Sequence, residues 1–121
     1  MPKIYLSPST QDWNMYVTGS GSEEYNMNLL ADALVPYLLS NGIQYQRNRP
    51  EMTAGSSIRE ANQGEYDLYL ALHSNAAPEG RYGEERGIIA FYYPGSVGGQ
   101  RAAELIAQEL RKIYPLPNKV T

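Results

Sequence analysis

The chain contains one histidine, and it lies at the end of an apolar run, Leu70-Ala71-Leu72-His73-Ser74-Asn75-Ala76. A neutral imidazole binds zinc or moves a proton, and an imidazole with a carboxylate is a common zinc ligand pair. Glu23 and Glu24, at the start of a helical pattern, are the carboxylates placed to join it. Ser7, Thr10, Gln11 and Asp12 follow the first apolar run and add hydroxyl, amide and carboxylate groups. There is no cysteine, which excludes disulfides, thiolate nucleophiles and thiolate zinc sites. Any metal is therefore held by nitrogen and oxygen, and a single histidine excludes a second imidazole. The same residues have plainer roles: a lone histidine after a strand serves as a hydrogen-bonded structural group, and acidic residues at a helix start are favoured by the helix dipole.

Three elements must bring these groups together. Lys3 to Leu6 reads as a short apolar strand stopped by Ser7-Pro8-Ser9, and the polar, glycine-rich stretch to Ser22 reads as a long loop of the kind that often carries function. From Glu23 the spacing turns helical, with Met27, Leu30, Leu34, Tyr37 and Leu38 on one face, Pro36 inside, and Asn41-Gly42 as the stop. Asp67 to Leu72 reads as a buried strand, whose period of two puts Leu68, Leu70 and Leu72 on one face and Tyr69, Ala71 and His73 on the other. In an open α/β sheet, ligands bind beyond the carboxyl ends of the strands, so His73, Glu24 and the loop after the first strand converge on one edge.

The remaining elements complete the alternation. Ile43 to Arg47 reads as a strand, and Ser57-Ile58-Arg59-Glu60 has capping-box spacing for a short helix to Asn62. Ile88 to Tyr93 reads as a strand after Gly87, and Gly98 to Tyr114 as an amphipathic helix with Ala102, Leu105, Ile106, Leu110 and Ile113 inward. The tail from Pro115 to Thr121 has linker character. Strands alternating with helices predict an α/β fold in three layers, a mostly parallel sheet with helices on both faces, within a single domain of 121 residues.

A net charge of -3 and a pI near 5.1 provide no basic stripe, so nucleic acid is excluded as an expected partner. No apolar stretch approaches the roughly 20 residues of a membrane span, and no signal-peptide pattern opens the chain. Eleven tyrosines against one phenylalanine and one tryptophan suit either stacking on sugar faces or half-buried strand positions.

Taken in order, these segments resemble the N-acetylmuramoyl-L-alanine amidases, zinc enzymes that cut between muramic acid and the peptide stem of peptidoglycan. The resemblance rests on the first strand with its Ser-Pro-Ser turn, Glu24 followed by Asn28-Leu29, Arg47 at a strand end, Arg59-Glu60-Ala61-Asn62, His73-Ser74-Asn75-Ala76, and Arg86-Gly87 leading to Tyr92-Tyr93. It implies a peptidoglycan hydrolase with Zn2+ held by His73 and Glu24, and substrate contacts from Gln11, Arg47, Ser74 and Asn75. It also implies action on the cell wall after release by lysis or another export route.

Two departures shape the expectation. The family's first-loop histidine falls near Thr10 or Gln11, leaving Asp12 or Glu23 as substitute oxygen donors. The family's general-base glutamate lies on a further strand, which is expected beyond Thr121, so the domain is expected to be incomplete at its C-terminal end. Three functions stay open: an amidase, an inactive amidase-like domain that binds muropeptide, and a small α/β interaction domain. An incomplete sheet would expose an edge and favour self-association.

Overall fold

The computed structural model describes residues 2–16, 18–74, 87–114 and 118–121. The chain divides into two compact units, Met1–Ser74 and Asn75–Thr121.

In the first unit, β1 (Lys3–Pro8) is the middle of a three-stranded parallel sheet, between β2 (Gln44–Arg47) and β3 (Leu68–Leu72). Ile4 is level with Tyr45 on one side and Leu68 on the other, and Leu6 with Arg47 and Leu70. The helix α1 (Glu23–Ser40) leads from β1 to β2, and α2 (Ala54–Gln63) leads from β2 to β3. The second crossover runs across β1 in the opposite direction from the first, so right-handed connections put α1 and α2 on opposite faces of the sheet. This is the α/β layering that the alternation predicts.

The α1 face carries the apolar core: Ile4 and Leu6 of β1, Ala31 and Leu38 of α1, with Leu34, Val35, Leu68, Leu70 and Leu72 packed around them. The three leucines of β3 thus share a face, as their period predicts. The helix is turned only partly from its expected setting. Leu34 and Leu38 lie inward as expected, but Leu30 and Tyr37, also expected inward, are 49% and 70% exposed, and Ala31 is buried. Apolar residues run nearly all round α1, so spacing alone does not single out one face. Ala31 wins the inner position because a methyl lets the helix backbone approach β1.

On the other face, Tyr5 is fully buried, stacked on Tyr69 at 5.6 Å between ring centroids and edge-on to Tyr66 at 5.4 Å. Farther along, Asn48 donates through Nδ2 to Ser7 Oγ, Pro8 O and Ser57 Oγ, tying β1 and the end of β2 to α2. The cap of α2 is Thr53, four residues before the expected one. Thr53 accepts from Ser56 N–H and Ser56 Oγ accepts from Thr53 N–H. Ser57, expected as the cap, is instead a buried interior residue that donates to Thr53 O.

In the second unit, β4 (Ile88–Ala90), α3 (Val97–Arg111) and β5 (Asn118–Val120) form a parallel strand–helix–strand unit, with Ile88 level with Asn118 and Ala90 with Val120. The expected linker thus supplies a strand. The inward residues of α3 are Ala103 and Ala107, whereas Leu105 and Ile113 are 48% and 81% exposed. Small side chains again take the contact, letting the helix lie close to its two strands. Ser96 caps α3 by accepting from Gly99 N–H, and a Cβ at Gly99 would stand 2.8 Å from Ser96 Oγ, so a larger residue there would have to displace the capping hydroxyl. Among the described residues no helix is long and apolar enough to cross a membrane.

The Tyr5 hydroxyl is buried with no hydrogen-bond partner among the described residues. Burial first, then the nearby Glu60 carboxylate, pushes its pKa above the usual phenol value. A raised folded-state pKa is stability present below the unfolded phenol value and lost as pH climbs past it. Tyr5→Phe keeps the ring stack and removes an unsatisfied group, so it should leave stability unchanged or raise it by about 1 kcal/mol. In thermal melts, the native protein should lose stability above about pH 10 more steeply than the variant. A clear loss of stability in Tyr5→Phe at neutral pH would show that the hydroxyl has a partner.

Candidate functional site

With strand order β2-β1-β3, the connections leave β1 in one direction and reach β3 in the other. The gap beyond the carboxyl ends of β1 and β3 is the switch point where open α/β sheets bind ligands. Ser9 N–H donates to Leu72 O across this gap, 2.9 Å, and His73 is the next residue of the chain.

His73 Nδ1 lies 3.1 Å from Glu23 Oε2. The carboxylate is buried, with 3% of its side chain exposed, while the imidazole is 47% exposed. Glu23 is the first residue of α1, where the unpaired N–H groups and helix dipole favour a negative charge. Ser22 caps the helix by accepting from Tyr25 N–H. The imidazole's carboxylate partner is thus Glu23 and not its neighbour Glu24. Among the described residues no hydrogen bond joins the Glu24 carboxylate to His73, and Glu24 is held by its backbone, its N–H donating to Gln11 O and its carbonyl accepting from Asn28 Nδ2.

The loop after β1 is pinned to this pair. Asn14 Nδ2 donates to Gln11 Oε1 at 3.0 Å and to Glu23 Oε1 at 3.4 Å, and Glu23 N–H donates to Asn14 O at 2.8 Å. Each Glu23 oxygen therefore has a partner, one from the loop and one from the residue that follows β3. Gln11 is thereby brought to the site. Tyr16 shares a 2.6 Å hydrogen bond with Ser74 Oγ, fixing the residue after His73. Met15 and Ser22 form an antiparallel bridge that closes the loop on itself. Gly21, at φ 102°, makes the turn beside it. Asn14 and Tyr16 were not singled out from sequence. The only signal for them was the length of the loop.

Arg47 is placed differently. Its guanidinium donates to Asn28 O, Asn28 Oδ1 and Asp32 Oδ1 on α1. Its contacts clamp the end of β2 to the helix. Asn75, also expected at the site, and Arg86 lie outside the described residues.

Beside the pinned loop is a cleft of about 550 Å³, lined by Thr10 to Trp13 on one side and by residues Pro50 to Ala54 on the other. At its rim Arg49 pairs with Glu51 at 2.9 Å. The Glu51 carboxyl is held below the usual carboxylate range, first by a backbone hydrogen bond of its own residue and then by Arg49.

His73 and Glu23 are a nitrogen and oxygen donor pair of the type zinc accepts. Among the described residues, no group of three or more His, Asp and Glu side chains converges where it could hold a metal ion. The direct His73–Glu23 contact suits a carboxylate that orients an imidazole through Nδ1 and leaves Nε2 for an incoming group. Two variants separate the acidic neighbours: Glu23→Gln should change the ring-nitrogen chemical shifts of His73 and its tautomer balance, whereas Glu24→Gln should leave them as they are. Equal effects from both, measured by nitrogen-15 NMR, would remove Glu23 from the orienting role.

No family model matches the chain, and no curated protein or solved structure was found to match it.

Proposed function

We propose that the chain is a peptidoglycan amidase domain, hydrolysing the amide between N-acetylmuramic acid and L-alanine at the His73 edge of the sheet, with zinc as its cofactor. The observation that supports this most is the half-exposed imidazole oriented by a buried carboxylate at the switch point of an α/β sheet. With Nδ1 facing Glu23, Nε2 is the nitrogen that meets a ligand, a metal or a proton. Gln11 and Ser74 border the same edge and offer an amide and a hydroxyl to a peptide-like substrate. In the reaction water adds to the acyl carbon, the bond to the L-alanine nitrogen breaks, and the amine leaves with a proton.

His73 and Glu24 are the residues that would hold zinc. When bound, zinc supplies Lewis-acid polarisation of the scissile carbonyl. One observation favours a second reading, a domain that binds muropeptide without cutting it: among the described residues a third converging donor is lacking.

Incubation with purified peptidoglycan decides between them. Hydrolysis should release free L-alanine amino groups, and His73→Ala should lower the rate at least about a hundredfold, with bound zinc falling in parallel by elemental analysis. Protein that sediments with peptidoglycan yet releases no amino groups would replace the enzyme by the binder. Protein that does neither would overturn both readings.

We further propose that the second unit self-associates. Strands β4 and β5 each keep an unpaired edge among the described residues, and Phe91 and Tyr93 beside β4 are 69% and 81% exposed. Such edges favour pairing with another chain. Light scattering should give a mass above that of one chain at high concentration; a monodisperse monomer there would refute it.

A further inference from the structure

The chain's single tryptophan is on its surface. Trp13 is 74% exposed, yet it does not ride on a free segment. Asp12 N–H donates to Thr10 O and Asn14 N–H to Gln11 O, and Asn14 is anchored on both Gln11 and Glu23. The indole is held on a fixed turn at the wall of the 550 Å³ cleft. An exposed indole on a pinned turn gives up its contact with other apolar groups, and a ligand that covers its face recovers that contact.

The groups flanking the indole define what that ligand is. The Asp12 carboxylate accepts no hydrogen bond among the described residues. Gln11 uses Oε1 to accept from Asn14, which leaves its Nε2 as a donor. An unused acceptor and an unused donor beside an aromatic face suit a ring with an apolar side and equatorial hydroxyl or acetamido groups. Asp12 and Glu51 on the lining disfavour an anion. Glu51 is already paired with Arg49, and one indole is not a cage, so a cation is also poorly served. Pro50 and Met52 add apolar atoms to the same lining.

We propose that the Trp13 cleft is a glycan subsite that stacks a neutral N-acetylated pyranose on the indole, with Asp12 and Gln11 bonding its substituents. The identity of the polymer as peptidoglycan rests on the amidase reading above; the sugar-binding chemistry does not. The subsite adjoins the His73 edge through Gln11, which lines the cleft and accepts from Asn14 Nδ2 and Glu24 N–H. It would therefore hold the glycan strand while the peptide branch lies at the imidazole.

The lone tryptophan is its own reporter. Titration with a β-1,4-linked N-acetylglucosamine tetramer should give a saturable blue shift of tryptophan emission. By calorimetry, Trp13→Ala should weaken binding of that tetramer by about tenfold or more, and Trp13→Phe should restore part of it. Because the side chain is largely exposed, circular dichroism of Trp13→Ala should match the parent. His73→Ala should bind the tetramer as the parent does while losing amino-group release, so the subsite and the amidase reading fail separately. An absence of any saturable change would overturn the subsite, as would equal affinity in Trp13→Ala. It would also fall if lysine amide or the free stem peptide gave the shift where the tetramer gives none.

Discussion

Everything at the candidate site depends on β1 being paired on both sides by parallel strands. A strand in that position is covered on both faces, which is why Ile4, Tyr5, Leu6, Ser7, Pro8 and Ser9 are all buried. Parallel pairing also makes the carboxyl ends of β1 and β3 coincide, so the Ser9 to Leu72 hydrogen bond is the last rung of the sheet and the first contact of the site. Burying a side chain such as Leu6 stabilises the fold by about 1.5–3 kcal/mol, far more than any contact of the exposed loop. The core therefore sets the position of His73, and the loop adapts to it. The dependence runs one way: loosening the Gln11 to Tyr16 loop leaves β1 in place, whereas a slip of β1 by one residue would turn Ser7 toward α1 and Leu6 toward α2.

The second face of the sheet carries a different kind of constraint. Asn48 is buried with its amide nitrogen facing three oxygens, from β1 and α2. Leaving such a group without partners costs about 1–3 kcal/mol, so the network selects one docking of α2 and rejects neighbouring ones. This explains the start of α2 at Thr53. Ser57 and Glu60 have the spacing of a cap pair, but Ser57 is required inside, at Asn48, and the Thr53–Ser56 pair four residues earlier closes the helix instead. A tertiary demand on one serine thus moves a helix boundary that local spacing put elsewhere.

The same contrast explains what could be read from the residues alone. The elements that rest on a strong period were legible: β1, β3 with its three leucines on one face, and the existence of all three helices. The α/β class followed from their alternation. The inward faces of α1 and α3 were legible only in part: Leu34 and Leu38 pack inward as their spacing predicts, but both helices also turn alanines to the sheet and leave larger apolar residues outside. Size matching at a close contact, rather than hydrophobicity, decides that choice, and a hydropathy pattern does not report it. Strand β5 was missed because Asn118-Lys119-Val120 has no apolar run; it is a strand through its pairing with β4. At the site, His73 and Gln11 were legible from the switch-point rule. Asn14, Tyr16 and Trp13 were hidden in a loop, where position depends on turns such as that at Gly21 and leaves no periodic trace.

The choice between Glu23 and Glu24 follows from helix geometry. Successive residues of an α-helix point about 100° apart, so two adjacent carboxylates at a helix start cannot both face one imidazole on the sheet edge. One is turned inward and buried, where the helix dipole and the hydrogen bonds from Asn14 and His73 offset the loss of water. That residue is Glu23. The other is left partly exposed at the rim with its carboxylate uncommitted, although its backbone is fixed by Gln11 and Asn28. The doublet therefore does not act as a unit: Glu23 sets the orientation of the imidazole, while Glu24 serves through its backbone, tying the loop after β1 to α1.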